Sequence, residues 1–89
     1  MIDPANVFLD LKVICGEYEF HCLSVHQIDK VDYERKIEKF AENYAANFYG
    51  LESEAKNGAY YFYAGEVAVS VYKVQELQSQ EYLTLKKYL

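Results

Sequence analysis

The stretch NGAYYFYAGEVAVSVYKV, residues 57–74, decides how this chain is read. It is rich in aromatic and β-branched residues, which fit a pleated, half-buried surface. Ala64 and Gly65 interrupt it with the small-residue chemistry of a tight turn. With those two as the loop, Phe62 opposes Val67 and Tyr60 opposes Val69, and Val71 continues the same face. Tyr61, Tyr63 and Tyr72 then point the other way, beside Ala68 and Val74. Both faces of this hairpin are apolar, so a sheet built from it needs something on each side.

Upstream, VFLDLKVICGEYEFHCLSV (residues 7–25) predicts a second hairpin turning at Cys15-Gly16, where glycine accepts φ > 0. In that register Val13 opposes Tyr18, Leu11 opposes Phe20 and Leu9 opposes Cys22 on one face. On the other face Lys12 meets Glu19 and Asp10 meets His21, pairs of compatible charge. A slip of one residue would send every apolar side chain to the wrong side.

Between the hairpins, DKVDYERKIEKFAENYAANFYG (residues 29–50) carries Tyr33, Ile37, Phe40, Tyr44 and Phe48 at spacings of three and four, the stripe of an amphipathic helix. Asp29 or Asp32 is placed to cap its first turn, and Gly50 to end it. LESEAKNG (residues 51–58) is polar and reads as a loop. The terminal SQEYLTLKKYL starts with Ser79 as a cap and spaces Tyr82, Leu85 and Leu89 helically, with Lys86 and Lys87 at the end that favours cations. The expectation is an α+β domain spanning residues 1–89, ordered ββαββα. It has a four-stranded, mainly antiparallel sheet, one long helix packed on a face and a short C-terminal helix.

Composition narrows the function. Apolar residues make up 52% of the chain, with ten tyrosines and five phenylalanines, enough for a core without staples. Two cysteines are too few for a disulfide scaffold. Acids outnumber bases 14 to 9, for a net charge of −5, which disfavours nucleic acid, whose binding depends on Lys and Arg. The start MIDPANVFLDL has no basic segment before an apolar core, so no secretory signal is read. No apolar run reaches the roughly 20 residues that span a bilayer. These features point to the cytoplasm.

Candidate chemistry is sparse. Cys15, His21, Cys22 and His26 are zinc-type ligands, yet in this hairpin Cys15 sits at the tip, roughly 23 Å along the strand from Cys22. His21 and Cys22 alternate to opposite faces, which argues against both shared coordination and a cysteine–histidine nucleophile pair. No metal and no cofactor is expected. Glu34, Glu38 and Glu42 form a carboxylate row along the helix, with Arg35 and Lys39 beside it.

One helix covers one face of the sheet. The other face would show Phe8, Leu23, Tyr61, Tyr63, Tyr72 and Val74, more contiguous apolar surface than a monomer leaves bare. The C-terminal helix, a second copy and a different protein are the three possible covers. In size, acidity and layout the chain resembles small phage or mobile-element proteins that inhibit host-defence enzymes, a resemblance of composition. The expected function is a non-enzymatic protein-binding module, an acidic inhibitor of a larger, nucleic-acid-handling or host-defence protein. Tyr61, Tyr63, Tyr72, Phe8 and Leu23 would supply contact, and Glu34, Glu38 and Glu42 electrostatic steering. A structural homodimer, joined by sheet faces or edges, is the alternative; a small enzyme or metal protein using Cys22 and His26 ranks below it.

Overall fold

The computed structural model describes residues 4–29 and 36–89. Its elements run β1 (Pro4–Cys15), β2 (Tyr18–Asp29), α1 (Ile37–Ala46), β3 (Glu54–Lys56), β4 (Ala59–Phe62), β5 (Val67–Leu77) and α2 (Ser79–Lys86). The strands form one antiparallel sheet in the order β2-β1-β5-β4-β3. The α+β class holds, but the sheet has five strands rather than four. The additional strand, β3, lies in the stretch read as a loop. Asn57 and Gly58 both take positive φ, the hairpin turn that Asn-Gly favours, and they bring Lys56 opposite Ala59.

The first hairpin turns at Gly16-Glu17 rather than Cys15-Gly16, and Cys15 pairs with Tyr18. Gly16 has φ +61° and Glu17 a negative φ, so glycine fills the first central position, as a type II′ turn requires. The ladder is therefore displaced by two residues: Val13 opposes Phe20, Leu11 opposes Cys22, and Leu9 opposes Ser24. A shift of two leaves every side chain on its expected face, because the strand period is two. The charge pairs also survive as diagonal neighbours, Lys12 Nζ to Glu19 Oε1 at 2.9 Å and His21 Nδ1 to Asp10 Oδ1 at 2.7 Å.

In the second hairpin Tyr60 faces Val69 and Phe62 faces Val67, as expected. Pairing stops there, and Tyr63 and Ala64 adopt φ of 55° and 56°. Tyr63 is thus a turn residue and not part of the strand face. Farther along, a bulge separates the pairs Leu11–Val71 and Asp10–Lys73, leaving Tyr72 as the extra residue. The bulge reverses the alternation beyond it, so Val74 joins the helix-side core instead of the opposite face.

That core contains Leu9, Leu11 and Val13 from β1, Val67 and Val69 from β5, Phe62 from β4, and Ala41 and Ala45 from α1. Two alanines let the helix sit close to β5. Phe40 and Phe48 flank them, partly buried, whereas Tyr44 is exposed. Asp29 closes β2 and is not the cap of α1, whose N-cap is Lys36; Asp32, Tyr33, Glu34 and Arg35 lie outside the described residues. Ser79 is the first residue of α2, not its cap. Gln78 holds that position, and its backbone N–H donates to Glu81 Oε1 at 3.1 Å.

Candidate protein-binding face

On the side of the sheet away from α1, β1 presents Phe8, Asp10, Lys12 and Ile14, and β2 presents Glu19, His21, Leu23 and Val25. α2 packs against β1, β2 and β5. Where β5 hands over to it, Leu77 and its neighbour Asn6 are buried, and Gln27 Nε2 donates to Asn6 Oδ1 at 3.1 Å. No residue of α2 is itself fully buried. It covers one end of this face and leaves the middle open, where Tyr72 is 63% and Leu23 46% exposed.

The centre of the open region is ordered by charge. Asp10 accepts a hydrogen bond from His21, and the Tyr72 ring reaches over β1 to meet the imidazole edge-on, 4.8 Å between centroids at 89°. Tyr72 follows the alternation of Val67, Val69 and Val71 onto this face, and the bulge sets it there as the extra residue beside Lys73, the partner of Asp10. Lys12 and Glu19 form an exposed ion pair beside it. Apolar Ile14 and Leu23 surround a satisfied polar cluster, the mixture found at protein interfaces rather than in cores. Ile14 and His21 were not among the expected contact residues. Their alternation with Val13 and Cys22 is the signal that places them here.

The expected contact set is only partly brought together. Tyr72 and Leu23 share the open face, with Phe8 half-buried on it. Tyr61 also faces this way, opposite Ala68, but lies on β4, four residues along β5 from Tyr72. Tyr63 is on the other side: its ring meets Tyr49 at 5.6 Å, and Tyr49 in turn packs on Phe62 at 5.1 Å and Phe48 at 4.9 Å. Burial, joined by the Cys15, Tyr63 and Cys22 side chains, raises the Tyr49 hydroxyl pKa. Glu38 and Glu42 are exposed on α1, across the sheet from Tyr72, so acid row and tyrosine face are not one footprint. Glu34 lies outside the described residues.

Cys22 and His26 both face α1 but are four strand residues apart, roughly 13 Å. Cys15 and Cys22 are free thiols. Among the described residues no group of three His, Cys, Asp or Glu side chains is placed to hold a metal ion. Ser24 Oγ lies 2.7 Å from His26 Nε2, a hydroxyl–imidazole pair. The imidazole is wedged between Phe40 (5.1 Å) and Tyr44 (4.8 Å), which fits a packed, hydrogen-bonded, half-buried histidine.

Burial lowers the His26 pKa from its ordinary value of 6.5. The unfolded chain therefore binds a proton near pH 6.5 that the folded chain refuses. This contribution to stability is complete above pH 6.5 and declines as the pH falls from there towards the folded pKa. Urea unfolding between pH 7.5 and 5.5 should show that decline, and His26→Gln should flatten it. An unchanged slope in the variant would remove His26 as its source.

No protein-family model, curated protein or solved structure matches the chain. No helix among the described residues is long and apolar enough to cross a membrane.

Proposed function

We propose that this protein is a cytoplasmic, non-enzymatic protein-binding module that engages another protein through the open face around Tyr72. The observation that carries the reading is the exposed ring of Tyr72, set on a bulge and held against the Asp10–His21 pair on a face that α2 covers at one end only. A tyrosine fixed in this way offers a large contact area at small entropic cost, and its hydroxyl tolerates a wet rim. The free thiols suit a reducing compartment.

The net charge of −5 favours a partner with a basic surface, such as a nucleic-acid-handling protein. Glu38 and Glu42, across the sheet from the contact face, serve long-range steering rather than contact. Inhibition is the simplest task for such a module: it occupies a surface the partner needs and requires no chemistry of its own.

The test is affinity capture from the native host, comparing wild type with Tyr72→Ala and Tyr63→Ala. Tyr72 is exposed, so its truncation should leave the fold intact and reduce recovery of the partner at least tenfold. Tyr63, on the opposite side, serves as the control and should keep it. Undiminished recovery by Tyr72→Ala rejects this face.

A further inference from the structure

The two edges of the sheet are protected very differently. β3 is a three-residue edge bearing Glu54 and Lys56, the short, charged form that discourages pairing. β2 is a twelve-residue edge, YEFHCLSVHQID. It has no lysine, arginine or proline, its pairing with β1 is unbroken, and none of its residues is fully buried. Such an edge is a template for another strand.

Its hydrogen-bonding groups can be assigned from the turn. A two-residue turn makes the flanking residues, Cys15 and Tyr18, a hydrogen-bonded pair, and the pattern then alternates. Pro4, which has no N–H, falls opposite Asp29 at a non-bonded position, as that alternation requires. The backbone groups of Glu19, His21, Leu23, Val25 and Gln27 therefore point outward along an edge that no other described strand pairs.

We propose that this edge pairs antiparallel with the same edge of a second copy, with Leu23 on the two-fold axis. Side chains select the occupant and the register. With Leu23 facing its own equivalent, His21 meets Val25, Glu19 meets the Gln27 amide and Cys22 meets Ser24 of the second copy. On the helix side Phe20 meets His26 and the exposed Tyr18 meets Ile28. Glu19 meets an amide, Cys22 a hydroxyl and Phe20 an imidazole ring, and no charged side chain of the ladder faces a like charge, over about ten new backbone hydrogen bonds. Moving the axis to Ser24 sets Glu19 against Asp29, two like charges. Moving it to Cys22 sets Glu19 against Val25 and Phe20 against Ser24. In the favoured register the nearest like charges, Asp29 and Glu17 of the turn, lie at or past the ends of the ladder. The pairing would join the open faces of both copies into one surface with Leu23 at its middle.

This inference goes beyond the partner-binding reading, and its readout needs no partner. In sedimentation equilibrium at high micromolar concentration, wild type should run at twice the protomer mass of 10.4 kDa. Leu23→Lys, changed at an exposed side chain, should run at the protomer mass with an unaltered circular dichroism spectrum. In a Cys15→Ser background, Leu23→Cys should form a covalent dimer on mild oxidation, since facing Cα atoms at a bonded pair lie about 5.5 Å apart. Val25→Cys, whose equivalents would be roughly 13 Å apart, should not. A wild type that stays monomeric, a Leu23→Lys variant that stays dimeric, or cross-linking through Val25→Cys in preference to Leu23→Cys would overturn the proposal.

Discussion

Truncating Phe62 to alanine should destabilise the protein by about 3–5 kcal/mol, the cost of removing a buried aromatic ring and leaving a cavity. Phe62 is 1% exposed and among the largest fully buried side chains of the described residues. It ends β4, faces Val67 and belongs to the same cluster as Ala41 and Ala45. It also supports Tyr49, on which Tyr63 rests. Domains of this size have about 5–15 kcal/mol in hand, so the variant should be partly unfolded at moderate temperature. Urea titration followed by tyrosine fluorescence would measure the loss. Phe62→Leu should lose much less, because it keeps most of the volume. A cost below about 1.5 kcal/mol for the alanine variant would mean that the cavity collapses and that α1 is not anchored through this ring.

The second large effect is expected from enlarging, not removing, a side chain. Ala41 and Ala45 show no exposed surface, and they are the buried residues of α1. Leucine at either position has no room unless the helix lifts from β5. Overpacking of this kind costs about 1–3 kcal/mol, or about 4–8 °C in Tm for each kcal/mol in a domain of this size. Helix propensity adds almost nothing to this cost, since leucine is nearly as good a former as alanine. Thermal melts of Ala41→Leu and Ala45→Leu would decide it. Unchanged melting temperatures would show that α1 sits less closely on the sheet than the burial of its alanines implies.

The register of the first hairpin illustrates what strand patterns can and cannot specify. Matching faces eliminates slips of one residue but not of two, because alternation repeats with that period. The choice between the remaining registers belonged to the turn, where Gly16 prefers the first central position. β3 was legible in principle: Asn57-Gly58 is a strong hairpin signal, overridden by the polarity of the residues before it. Tyr63 was placed on the wrong side because a four-residue loop, not a two-residue one, joins β4 to β5. Val74 was misplaced for a different reason, the bulge at Tyr72.

Of the candidate site, Leu23 and Tyr72 could be read from alternation alone. The polar pairs at its centre, Asp10 with His21 and Lys12 with Glu19, were also visible as cross-strand neighbours. Their union with Tyr72 was not, because His21 and Tyr72 are separated by the whole of β1 and meet only when β5 docks beside it.

Alternation of apolar and polar residues, turn chemistry and helical spacing are properties of short segments, and they determined the α+β class and most of the buried face without reference to anything distant. Strand order, the bulge and the reach of α2 arise from contacts between segments far apart in the chain, whose energies no local window contains. Those contacts decided which tyrosine stands with His21, which strands end the sheet, and on which side of it the helix carrying Glu38 and Glu42 lies.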